Sequence, residues 1–174
     1  ALVKMYLAGE FGEEPDSVNP YAASAFYAVD RFASFRKDWQ SDYQKGTLIL
    51  CDRYVTSNMV YQLGKLPQSQ WEDYLSWVED LEYERLELPR PDKVIYLDIP
   101  VAVSQKLISR RYEGDEEKRD IHEKDSAFLE ECSRSAAFVA EKFQWQIVPC
   151  SAGGTPLSKT EIHRAVMECL AGIL

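Results

Sequence analysis

Three short, nearly continuous apolar runs, at residues 47–51, 94–99 and 146–150, are separated by long stretches of helical periodicity. Apolar side chains at successive positions, rather than at every second one, are expected of parallel strands covered on both faces. Parallel neighbours need a crossover of about a dozen residues or more, and the intervening helical stretches supply it. This alternation predicts a three-layer α/β domain with a parallel sheet flanked by helices. With 174 residues and 45% hydrophobic content, the chain can bury one core. No repeat, low-complexity tract or linker divides it, so residues 1–174 read as a single domain.

One predicted helix carries the stripe Val18, Ala22, Ala25, Val29 and Phe32. A second carries Trp71, Tyr74, Leu75, Val78 and Leu81 and ends before Pro89. The spacing predicts further helices over 101–111, 125–143 and 157–173, with Pro100 opening the first and Thr155-Pro156 leading into the last. Three strands are few for so many helices, since sheets commonly hold about 4–6. A further unit of about 30 residues, the size of a βαβ element, is therefore expected ahead of this stretch.

The net charge of −9 argues against general binding to nucleic acid or to a membrane surface. No uncharged apolar run reaches the roughly 20 residues of a membrane span. The opening residues lack the basic region and apolar core of a secretory signal. Cys51, Cys132, Cys150 and Cys169 are scattered and only two histidines are present, so neither a structural zinc site nor a disulfide framework is expected. Idle thiols in a reducing cytoplasm are the expectation. An acidic chain can still bind an anion by concentrating arginines locally.

The first apolar run ends in Asp52-Arg53-Tyr54. In open α/β sheets, ligands sit outside the carboxyl ends of strands. A carboxylate there can hold the hydration shell of Mg²⁺, and arginine offers a planar fork for phosphate that lysine cannot reproduce. The alternative is a local ion pair with Asp52 capping the next helix. Ser57 and Tyr61, like Asn58 and Gln62, lie four apart on that helix and suit a nucleoside better than an apolar ligand. Tyr61 reads equally as a core aromatic with its hydroxyl at the rim. Upstream, Tyr27 and Arg31 stand at i and i+4, away from the expected core stripe. They form either a nucleobase clamp, with a ring for stacking and a donor for a carbonyl, or a surface Tyr–Arg stack. The dense mixed charge of 110–124 reads as a solvated loop or as a lid whose arginines close over phosphates.

With these residues the chain resembles the thymidylate kinase family, within the nucleoside monophosphate kinases of P-loop fold. Asp52-Arg53-Tyr54 with Ser57, Asn58 and Tyr61 carries the most specific part of the resemblance, and the strand in Pro91-Asp92-Lys93-Val94-Ile95-Tyr96-Leu97-Asp98 supports it. The resemblance implies transfer of the γ-phosphoryl of ATP to the 5′-phosphate of dTMP, with Mg²⁺ and in a homodimer. It implies that Arg31 bonds the thymine carbonyl and that Tyr27, where the family usually has Phe, stacks on the ring. It gives Arg53 the acceptor phosphate and Asp52 the phosphate–magnesium region. Asn58 and Tyr61 would face base and deoxyribose, beside Ser57 and Gln62.

Arg110, Arg111 and Arg119 are the implied lid arginines, and Asp120-Ile121-His122-Glu123 resembles the lid's end. Ser151, Ala152, Gly153 and Gly154 resemble the loop that passes the donor adenine. No Gly-x-x-x-x-Gly-Lys-Ser/Thr cradle occurs in the chain. The family carries it on the first strand, so that strand and its cradle are expected to precede this stretch. The rivals are a deoxynucleoside kinase acting on a 5′-hydroxyl, which needs a nearby general base, and a non-catalytic nucleotide sensor.

Overall fold

A computed structural model describes residues 2–12, 14–112 and 125–173. The chain folds as two compact units, Ala1–Arg90 and Pro91–Leu174.

The first unit is helical. It contains α1 (Leu2–Leu7), α2 (Pro20–Ser34), α3 (Gln40–Gln44), α4 (Val55–Tyr61) and α5 (Trp71–Glu79). α2 starts at Pro20, so Val18, which the expected stripe placed on this helix, lies before it. Pro20 needs no N–H donor at the first turn, and Asn19 Oδ1 accepts the otherwise unpaired Ala22 N–H at 2.9 Å. Asn19→Ala is expected to lower stability by about 1 kcal/mol. Urea unfolding followed by circular dichroism reads this directly, and an unmoved midpoint would mean the cap contributes nothing.

α2 and α5 each run on into a wider π turn, Phe35–Trp39 and Asp80–Arg85 respectively. The turn after α5 decides which side chain completes that helix's inner face. The stripe expected on α2 is displaced: Val29 is 60% exposed, while Ala23, Ser24 and Ala28 are buried, followed by Phe35. Small side chains on the inner face let the neighbouring helices approach closely, and none of the five stripe residues is fully buried. On α5, Trp71, Tyr74, Leu75 and Val78 are buried as expected, but Glu82 rather than Leu81 completes the face. A π turn holds more residues than an α turn, so the position facing inward after Val78 is four residues on, not three.

The run 47–51 forms no strand. Leu48 and Leu50 are 62% and 89% exposed. Apolar composition specifies a strand only where another segment offers a hydrogen-bonding edge and cover, and none of the described residues does so for this one.

The second unit is α/β. β1 (Ile95–Asp98) and β2 (Gln146–Pro149) pair in parallel, with Ile95 opposite Gln146 and Asp98 opposite Pro149. The crossover contains α6 (Val101–Arg111) and α7 (Ser126–Lys142), as the helical spacing predicted. Cover is less complete than the apolar runs suggested: Val148 is buried, but Leu97 and Ile147 are about half exposed. Thr155-Pro156 does not lead into the last helix. It forms β4 (Thr155–Pro156), antiparallel to β3 (Ser151–Ala152), and Gly153 and Gly154 turn between them with φ of +57° and +75°. Two successive positive φ angles make the tight hairpin turn that glycine adopts without steric cost. The last helix, α8 (Lys159–Cys169), begins after Ser158, whose side chain and that of Glu161 cap each other's backbone N–H groups. The Ser158 hydroxyl and backbone N–H both donate to the Glu161 carboxylate and hold it below its usual range.

Candidate active site

The first unit brings two of the seven predicted acceptor-site residues, Arg31 and Asn58, onto one buried carboxylate. Glu82 is fully buried, and its Oε2 accepts from Arg31 Nη1 while its Oε1 accepts from Asn58 Nδ2 at 2.8 Å. Arg31 also donates from Nη2 to the Tyr54 carbonyl at 3.0 Å, with its guanidinium 5.5 Å from the Tyr54 ring centre. Asn58 gives its other amide hydrogen to the Ser24 carbonyl at 3.2 Å. The Tyr74 hydroxyl donates to the Asn58 carbonyl at 3.2 Å and lies 2.6 Å from Ser24 Oγ. Loss of water raises the Glu82 carboxyl pKa. The Arg31 charge and the bonds from Asn58 and Arg31 oppose that rise. Burial likewise raises the phenols of Tyr54 and Tyr74.

Arg31 thus belongs to a buried network rather than a surface stack. Tyr27, one helical turn before it, meets the buried Tyr6 edge-on at 6.2 Å. The four polar residues of α4 divide between two faces. Asn58 and Gln62 are 2% and 1% exposed, whereas Ser57 and Tyr61 are half-buried. Gln62 Oε1 is buried with no donor among the described residues, and an unmet buried acceptor costs about 1–3 kcal/mol.

Asp52 does not cap α4. Tyr54 occupies that position and makes no side-chain cap. Asp52 and Arg53 are both exposed at the helix entry. The Arg53 backbone has φ of +67°, a left-handed conformation costly for a residue with a Cβ. Its guanidinium donates to Tyr61 Oη at 3.2 Å and lies 5.0 Å from that ring's centre. Strained non-glycine backbone of this kind concentrates at binding and catalytic sites.

In the second unit, Arg110 and Arg111 are exposed in the last turn of α6. Arg119 and the segment 120–123 lie outside the described residues. Ser151, Ala152, Gly153 and Gly154 form the β3–β4 hairpin, and a Cβ at either glycine would meet nothing within 4 Å.

Glu82 is the residue sequence reasoning missed. Its signal was present: Trp71, Leu75, Val78 and Glu82 follow a 4-3-4 spacing, matched on α2 by Ser24, Ala28, Arg31 and Phe35. A charged residue on each of two core stripes, opposite in sign, is a pairing signal.

A helix-rich α/β chain with parallel strands and this site defines the P-loop kinase-like class. The sequence pattern described as Thymidylate kinase matches residues 9–162, and the chain belongs to the thymidylate kinase family. It is 31% identical over 140 residues to the thymidylate kinase of Mycobacterium tuberculosis (strain ATCC 25618 / H37Rv), covering 78% of this chain and 61% of that protein. It is 27% identical over 161 residues to that of Thermosynechococcus vestitus, covering 91% and 61%. A probable thymidylate kinase of Pyrobaculum aerophilum is 25% identical over 105 residues, covering 60% and 50%. The chain therefore spans between 50% and 61% of the length of these three relatives. No helix among the described residues is long and apolar enough to cross a membrane.

Proposed function

We propose that this chain contributes the acceptor site for transfer of the γ-phosphoryl of ATP to the 5′-phosphate of dTMP, giving dTDP and ADP. The observation that carries this reading is the convergence of Arg31 and Asn58 on buried Glu82, in a chain whose family match spans residues 9–162. A guanidinium and an amide held in fixed directions suit the edge of a pyrimidine. Tyr27 would stack on the ring, while Ser57, Tyr61 and Gln62 line the nucleoside side. Arg53, exposed beside them, would bind the acceptor phosphate through two charged hydrogen bonds.

Phosphoryl transfer depends on positioning and charge neutralisation more than on covalent protein chemistry. Arg110, Arg111 and Arg119 are the candidates to offset charge on the transferred group. Residues 151–154 would receive the adenine. No cluster of three or more His, Cys, Asp or Glu residues able to hold a metal occurs among the described residues. A single exposed carboxylate fits Mg²⁺ nonetheless, because that ion keeps several waters and is held mainly by substrate phosphates. Asp52 would contact it through water, and the ion would neutralise phosphate charge. A homodimer in the cytoplasm completes the reading.

The test is ADP release in a coupled assay with dTMP and thymidine as alternative acceptors. Turnover with dTMP but not thymidine is expected. Turnover with thymidine alone would identify a deoxynucleoside kinase, and calorimetric binding of dTMP without any turnover or ATP binding would identify a sensor.

A further inference from the structure

The Arg53 backbone stands in the left-handed region, yet among the described residues no hydrogen bond holds the backbone of Asp52 or Arg53 directly. A strained conformation of this kind persists only where its surroundings over-determine it. Here the surroundings converge on the next residue, Tyr54. Its carbonyl accepts from the Ser57 N–H in the first turn of α4 and from Arg31 Nη2 on α2, each at 3.0 Å. Its hydroxyl donates to the Pro89 carbonyl at 2.9 Å, and its ring centre lies 5.5 Å from the Arg31 guanidinium. Arg31 is itself fixed, because its other arm is tied to the buried Glu82 carboxylate. The two arms of one guanidinium therefore join a buried anchor to the turn that presents Arg53. A guanidinium carries five N–H donors, so these two bonds leave others for a ligand.

We propose that Arg31 is a positioning residue for Arg53. By holding the Tyr54 carbonyl it keeps the Asp52-Arg53 turn in the conformation that aims the Arg53 guanidinium at the acceptor phosphate, so one side chain couples the base end of the nucleotide to its phosphate end. This rests on the reading of Arg53 as the phosphate-binding group and of Arg31 as a base contact. Were Arg31 to serve the base alone, its loss would weaken a nucleoside and its 5′-monophosphate equally. Coupling makes the loss greater for the monophosphate.

NMR titration with dTMP and with thymidine measures the contribution of the phosphate as the ratio of the two affinities, in which a lost base contact cancels. The variant is Arg31→Ala with Glu82→Gln, which removes one charge of each sign and leaves no buried charge unpaired. Its ratio of dTMP to thymidine affinity should fall about tenfold from the wild-type value, the scale of one charged hydrogen bond to phosphate. With Arg53→Ala already in place, the same pair of changes should leave the ratio where it is, because the group they aim is gone. A purely structural loosening would lower it in both backgrounds. An unchanged ratio in the folded variant, or an equal fall in both backgrounds, overturns the positioning role and leaves the dTMP site standing. A wild-type protein that binds dTMP no more tightly than thymidine overturns the phosphate-site reading as well. Should near-ultraviolet circular dichroism show that the double variant does not fold, Arg31→Lys takes its place. It keeps the pair with Glu82 and the net charge but not the second arm of the fork, and the same fall or constancy of the ratio decides.

Discussion

Replacing Arg31 by alanine is expected to destabilise the first unit by about 3–5 kcal/mol, the range seen when one partner of a buried ion pair is removed. An exposed pair would be worth about 1 kcal/mol or less, so burial decides the size. The Glu82 side chain is 0% exposed and that of Arg31 12%. Without the guanidinium, Glu82 keeps one bond from Asn58 and must hold its charge in a site closed to water. Burial already raises the Glu82 carboxyl pKa above the usual 4.5, and Arg31 is the largest opposing influence. In Arg31→Ala that rise is larger. The folded state then keeps a proton that the unfolded chain releases, so the variant's stability is greatest below the ordinary carboxylate pKa and falls as pH climbs through the raised one. Urea unfolding of Arg31→Ala, Glu82→Gln and the double variant across pH 4 to 8 measures this, taking the roughly four-unit span over which a buried carboxyl is expected to titrate. The double variant should recover most of the loss because no buried charge is left unpaired. A single Arg31→Ala change costing under about 1 kcal/mol would mean the pair behaves as a surface bridge.

Arg53→Ala should produce the opposite profile, an intact fold and a crippled reaction. Loss of a charged donor aimed at a developing phosphate charge commonly costs about 10²–10³-fold in rate, and that reduction in kcat/KM for dTMP is expected here. Stability should barely change, because the exposed guanidinium contacts only the Tyr61 hydroxyl and ring among the interactions found for it. Arg53→Lys keeps the charge but not the planar fork and should fall between. Arg53→Gly should be at least as stable as the alanine variant, since φ of +67° is natural to glycine. Steady-state kinetics beside thermal unfolding separates these effects. Near-normal turnover of a folded Arg53→Ala protein would remove Arg53 from the phosphate site.

Local signals served well where local physics dominates. Val101–Arg111 was legible to the residue, because a proline entry and a basic last turn agree with the helical period. β1 and β2 were legible as parallel strands within one or two residues of their ends. Position 158, not 155–156, opens the last helix, because a glycine pair claimed the preceding residues for a hairpin. The apolar run at 47–51 shows the limit of composition: Leu50 is as hydrophobic as any strand residue and is 89% exposed.

The residues of the candidate site stood out by their chemistry, Arg53 and Asp52 at the end of an apolar run expected to be a strand and Arg31 four places after Tyr27, because side-chain type and spacing are properties of the chain itself. What surrounds them was not. Whether Arg31 meets solvent or a buried carboxylate depends on a residue 51 positions away, on the wide helical turn that carries that residue inward, and on which small side chains let helices close up. Those are outcomes of packing between distant segments, and only the tertiary structure settled them.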